Sequence, residues 1–185
     1  MVNAAGPILI VSGPSGVGKS TVSRLVAAAY ERSAVVEADA FLGFIASGWI
    51  EPNLPEASHQ NDIVGWAMAA ASIEIAVGGY TTVVDGHLFP PAVEQIGRAG
   101  ARRGVPVHYA VLRADLDICW ARARARPQGR WPLERDAVVA LHARFAGLDL
   151  PDHHAVDATA AAEDVAGAVH AAMREGTLAV GRSGT

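Results

Sequence analysis

Five short apolar runs divide the chain, at residues 8–11, 34–39, 80–86, 106–112 and, more weakly, 153–157. The first four are rich in Val, Ile or Leu without a polar position at every second residue, the pattern of a strand covered on both faces. Between them the apolar positions take helical spacing. Residues 21–30 follow the first run; Ile63, Trp66, Ala67, Ala70 and Ile73 mark a long helix over about 56–77; others fall near 90–103, 115–126, 133–147 and 161–174. A short helix over 41–45 follows the second run, and residues 48–55 form a break with Gly, Asn and two prolines. Strands that alternate with helices require parallel pairing, so the fold class is α/β with a parallel sheet.

Turn residues sharpen several boundaries. Gly78 and Gly79 close the long helix, Pro90 and Pro91 open the next, and Gly104 ends it. The 127–132 stretch, Pro-Gln-Gly-Arg-Trp-Pro, is a turn-rich connection between two helices. No internal repeat or linker splits the sequence. We therefore expect one domain over residues 1–175, a lid near 126–133 and a flexible tail at 176–185.

With 51% hydrophobic and 18% charged residues, the 185-residue chain has enough apolar material for a core. Its formal net charge of −4 gives no attraction to nucleic acid or an anionic membrane, and neither is expected as a partner. The single cysteine, Cys119, excludes an internal disulfide and a cysteine zinc cluster. His153 and His154 lack a third ligand at metal spacing. The first residues carry no basic region, and no apolar stretch approaches about 18 residues. A cytoplasmic location is the expectation.

Chemistry concentrates after the first strand, in Gly13-Pro14-Ser15-Gly16-Val17-Gly18-Lys19-Ser20, followed by Thr21 and a helix. The glycines allow conformations closed to other residues, and the loop N–H groups with the helix N-terminus face an anion. This strand, loop and helix form a Walker A phosphate cradle, in which Lys19 reaches the β and γ phosphates and Ser20 meets Mg²⁺. Lys19 is the only lysine in the chain, consistent with a site that needs a compact point charge where arginine serves elsewhere.

Two acids end strand runs. Asp39 is a candidate general base for an acceptor hydroxyl, or a cap for the 41–45 helix. Asp85 has the Walker B pattern of a Mg²⁺ partner, or is a turn carboxylate ahead of Gly86. The sequence alone leaves them free to exchange the roles of base and metal partner. Arg122 and Arg126 share one helical face, where two like charges favour an anion between them, or form a solvated stripe. Arg130 sits in the lid. Asn53, His59, Gln60, Asn61, Asp62 and Trp66 are candidate acceptor contacts, and His87 reads as an ordinary loop histidine.

Together these pieces resemble the adenylate-kinase-like branch of the P-loop kinases, most closely the small phosphotransferases grouped with zeta toxins, chloramphenicol phosphotransferase and the tunicamycin-resistance protein. The resemblance covers about residues 8–174. It implies a P-loop NTPase fold, a five-stranded parallel sheet in order 2-3-1-4-5 with helices on both faces. It also implies ATP and Mg²⁺ as cofactors, Asp39 as base, Arg122 packing on adenine, Arg126 on phosphate, and backbone around Asp157 to Thr159 beside adenine. The expected reaction is transfer of a γ-phosphoryl group to a hydroxyl of a small molecule, such as an antibiotic or sugar-like metabolite. A nucleoside or nucleotide kinase and a non-catalytic ATP-binding switch are the alternatives. The 41–66 region matches no family pattern, which leaves the acceptor open.

Overall fold

The computed structural model describes residues 4–52, 54–125 and 134–181. Five strands, β1 (Ile8–Ser12), β2 (Ser33–Glu37), β3 (Thr81–Asp85), β4 (Val107–Arg113) and β5 (Ala155–Asp157), form one sheet in the order β2-β3-β1-β4-β5. All four pairings are parallel, as the alternation of elements demands. The helices are α1 (Lys19–Ala28), α2 (Ala38–Leu42), α3 (Ser58–Val77), α4 (Pro90–Arg102), α5 (Leu116–Ala125), α6 (Arg135–Ala146) and α7 (Ala162–Glu175).

The period of two along each strand sorts side chains into two cores. Leu9 and Val11 of β1 join Val83, Ala110 and Leu112 under α1, α5 and α7, where Val22, Val26, Cys119, Val165 and Val169 are buried. Ile8 and Ile10 face the other way, with Val84, Tyr109 and Val111, against Met68, Ile73, Val93, Ile96 and Phe145 from α3, α4 and α6. Covering both faces explains why β1 is apolar at every position but its last, and why its backbone groups must be paired within the sheet. No helix among the described residues is long and apolar enough to cross a membrane.

Three expectations need correction. The second strand stops at Glu37, and Asp39 lies in the first turn of α2, whose N-cap position is Glu37. Helix α3 begins at Ser58, after a 3₁₀ turn over Pro55–Ala57. The chain also does not fray at Gly176. Leu178 is fully buried in the core under α1 and α7, and Ala179 bridges antiparallel to His108. The Tyr109 N–H donates to the Leu178 carbonyl at 2.8 Å, and the Val180 N–H to the Val107 carbonyl at 2.9 Å. β5 pairs only with the last three residues of β4, so the first half of that strand would otherwise show an open edge. Residues 178–180 cover it.

Candidate active site

The glycine loop leaves β1 at the carboxyl edge of the sheet and delivers the chain into α1. Gly18 is the N-cap residue, at φ 114° and ψ 11°, a left-handed conformation that suits glycine and leaves the first helical N–H groups without a side-chain cap. Gly16 is constrained twice: its φ is 79°, and a Cβ there would run into the Cys119 carbonyl oxygen and lie 3.0 Å from the Ala123 Cβ of α5. Val17 is buried beneath the loop, and its N–H donates to the Pro14 carbonyl at 3.4 Å. Gly13 and Pro14 are buried, Ser15 and Lys19 half-buried, and Thr21 exposed on the first turn of α1. The Lys19 Nζ donates to the Pro14 carbonyl at 3.0 Å, which folds the ammonium over the loop it serves.

Register then sets the acids. Asp85, the last residue of β3, stands opposite Val11 of β1 on one side and Glu37 of β2 on the other. It is buried, and burial pushes its carboxyl above the ordinary 3.8. The nearby Ser20 hydroxyl and Lys19 ammonium pull the other way, while Glu37 and Asp39 add to the rise. Lys19, Ser20, Glu37 and Asp39 are thus all within electrostatic reach of Asp85. A buried carboxylate beside a hydroxyl is an oxygen donor pair suited to a hard divalent cation. Among the described residues no three His, Cys, Asp or Glu side chains form a metal-binding group. Ser20 and Asp85 are the residues that would hold a Mg²⁺ here.

On the opposite side of the loop, Arg122 of α5 ties the cradle to the β5–α7 turn. Its Nη1 donates to the Ala158 carbonyl at 2.8 Å and the Val17 carbonyl at 3.2 Å, and its Nη2 reaches the Thr159 carbonyl at 3.4 Å. Backbone carbonyls take these donors, where the helical pairing with Arg126 suggested an anion. The Thr159 N–H donates to the Asp157 carboxylate at 2.9 Å, which shapes the turn and holds that carboxyl below its ordinary range. Arg126, Arg130 and the whole expected lid at 126–133 lie outside the described residues, as does Asn53.

The segment after β3 is bolted to the loop. The His87 Nδ1–H donates to the Gly13 carbonyl at 2.8 Å, since a carbonyl only accepts. The Ser12 hydroxyl donates to the Leu88 carbonyl and accepts from the Leu88 N–H, both at 2.9 Å, and the Tyr109 hydroxyl donates to that carbonyl at 2.8 Å. Two cavities open among the described residues. One of about 460 Å³ is bounded by Pro14, Arg113, Asp115, His142, Phe145 and Thr159. The other, about 390 Å³, lies between the loop after α2 and the start of α3.

An AAA-domain family model matches residues 8–148, which contain the loop, both acids and Arg122. The chain belongs to this family. No curated protein matches the sequence. Among solved structures, the tunicamycin resistance protein of Deinococcus radiodurans is 19% identical, with 94% of this chain and 98% of that one covered and a TM-score of 0.65. A gluconokinase from Sinorhizobium meliloti 1021 is 20% identical, covers 94% and 95%, and has a TM-score of 0.62. The APS kinase CysC of Mycobacterium tuberculosis, in complex with AMPPNP and APS, is 16% identical, covers 92% and 99%, and has a TM-score of 0.66. These likenesses show that the family member has the P-loop kinase fold, with the strand order and two helix layers expected.

Some residues at the site give no clear signal in the sequence. Glu37 sits beside Asp85 and pairs with Arg24 at 2.9 Å, yet in the sequence it is masked by Asp39 two residues later. His87 and Ser12 act on backbone carbonyls across the chain, which no spacing rule reveals. Arg113 does carry a signal, as a charge ending an apolar strand where parallel sheets gather ligands. Conversely, Gln60 and Asn61 hold the preceding loop: the Gln60 amide accepts from the Ile50 N–H and donates to the Ile50 carbonyl, both at 2.8 Å, and the Asn61 amide donates to the Pro52 carbonyl at 2.9 Å. His59, Asp62 and Trp66 remain exposed.

Proposed function

We propose that this protein is a Mg²⁺- and ATP-dependent kinase that transfers the γ-phosphoryl group to a hydroxyl of a small molecule. The observation that carries this is the buried Asp85 at the strand end beside β1, at the mouth of the glycine cradle, with Ser20 and Lys19 close enough to act on its carboxylate. A hydroxyl and a carboxylate in that relation fit the metal side of a P-loop phosphotransferase, and support giving Asp85 to the metal and Asp39 to the acceptor. Bound Mg²⁺ supplies neutralisation of charge on the β and γ oxygens.

The protein's own residues would do the rest. The loop N–H groups and Lys19 hold the polyphosphate, and Arg122 fixes the turn beside the base. Asp39, exposed at the start of α2, accepts the acceptor hydroxyl's proton as that oxygen forms its bond to the γ-phosphorus. The bond from the γ-phosphorus to the bridging oxygen breaks, and ADP leaves with that oxygen. Arg126 and Arg130, which lie outside the described residues, are the sequence's candidates to offset charge on the transferring group.

The test is ADP release from purified protein with Mg-ATP across aminoglycosides, phenicols, nucleosides, sugars and nucleotide sugars. One compound should raise turnover, and Asp39→Asn should remove that stimulation while ATP still binds. A flat panel with saturable ATP binding would instead favour a nucleotide-binding switch.

A further inference from the structure

We infer that the acceptor is an alcohol with an apolar body and no negative charge, bound in the 390 Å³ cavity between the loop after α2 and the first turns of α3. The inference rests on the kinase reading above and names the substrate class of that site.

The cavity wall follows the proposed base within a few residues of the chain. The Gly43 N–H donates to the Asp39 carbonyl, Phe44 to Phe41 and Ile45 to Leu42, so the chain turns helically from the proposed base to the cavity wall. Six residues at a rise of 1.5–2.0 Å put Ile45 about 9–12 Å from Asp39 along that path. A drug-sized molecule spans that distance.

Its walls are apolar where they are not acidic. Ile45, Ile50, Ile63 and Val64 supply branched aliphatic surface, and Glu56 and His59 supply the polar edge. Gln60 also borders the cavity, but its amide is occupied by the Ile50 backbone. Four of the six large hydrophobics left exposed among the described residues, Phe44, Leu54, Ile63 and Trp66, fall in this same stretch. An apolar ligand would cover such a surface; a strongly hydrated one would not.

Charge excludes the anionic alternatives. From residue 33 to residue 97 the sequence contains no lysine or arginine, while Glu37, Asp39, Glu51, Glu56, Asp62, Glu74, Asp85 and Glu94 all fall there. A phosphate or carboxylate lodged in the cavity would meet Glu56 at its edge, with no lysine or arginine of this segment to offset it. Like charges brought together in a partly desolvated site cost more than the attraction a neutral group forgoes.

The experiment titrates protein methyl-labelled at isoleucine with phenylpropanol, phenylalaninol and phenyllactate, which share a ring and a hydroxyl and are neutral, cationic and anionic. Methyl shifts of Ile45, Ile50 and Ile63 report on this cavity alone. The neutral and cationic probes should shift them saturably, and phenyllactate should bind at least about tenfold more weakly. Glu56→Lys, at an exposed position where the unfolding midpoint should hold, should close that gap. Equal or tighter binding of phenyllactate to the unaltered protein, or no shift with any probe, overturns the proposal. ADP release is measured separately. Binding in the expected order without transfer leaves the cavity's selectivity standing and removes the kinase reading. Transfer to an alcohol that leaves the three methyls unmoved does the reverse.

Discussion

Asp85, the buried last residue of β3, lies close enough to Ser20 for the serine hydroxyl to favour its charged form, which brings the carboxyl end of β3 up to the first turn of α1. The two residues are far apart in sequence and meet because β1 pairs with β3 in parallel, which puts both strand ends at the same edge. Asp85 is held at an energetic cost, because burial disfavours its charged form.

Replacing Asp85 with Asn should therefore stabilise the ligand-free protein near neutral pH while removing Mg²⁺-dependent activity. The sign follows from the raised carboxyl: the folded state favours the protonated form, so the penalty is absent below 3.8 and grows as pH rises through the folded value. Thermal unfolding of both proteins from pH 4 to pH 8 checks this. The advantage of Asp85→Asn should be small at the acid end and full at neutral pH.

Arg122 donates to carbonyls on two segments, Val17 in the loop and Ala158 and Thr159 after β5. Arg122→Ala should lower stability by about 1–3 kcal/mol and weaken ATP binding, because two walls of the nucleotide site lose their common tie. Arg122→Lys should recover little, since a single ammonium lacks the planar fork that reaches both sides. Calorimetric ATP affinity of the two variants decides this.

Gly16→Ala combines a strained φ with a methyl group driven into the Cys119 carbonyl. The loop must shift to admit it, and a displacement of about 1 Å at a reacting centre costs roughly 100-fold in rate. A Cβ at Gly18 would meet nothing within 4 Å, so Gly18→Ala carries only the backbone strain, about 1–2 kcal/mol. Activity of the two variants at matched folded fraction should rank Gly18→Ala above Gly16→Ala.

The edge cover over β4 gives a prediction about stability alone. Leu178→Ala should cost about 2–5 kcal/mol in denaturant unfolding, as a fully buried leucine does, while activity per folded molecule is unchanged. Loss of less than about 1 kcal/mol would mean that residues 178–180 do not hold the edge.

How much of this was legible depends on the range of the interaction. Continuous apolar runs and helical spacing disclosed the five strands and the long helices, because burial on both faces of a parallel sheet leaves no polar alternation to confuse them. The glycine loop was legible because each residue type answers a local need. The tail was not: Gly176 reads as a stop, and the burial of Leu178 depends on β5 being too short to cover β4, a fact of three dimensions. Asp39 reads as a strand end because Ala38 continues the apolar run, whereas the backbone turns into α2 one residue earlier. Gln60 and Asn61 look like ligand contacts in one dimension, and the fold spends them on Ile50 and Pro52.

The central claim is phosphoryl transfer at this cradle, and γ-labelled ATP tests it most directly. Wild-type protein with Mg²⁺ and a stimulating alcohol should place the label on that alcohol, and Lys19→Ala, at an unchanged unfolding midpoint, should place none. Label transfer by Lys19→Ala at the wild-type rate would contradict the account.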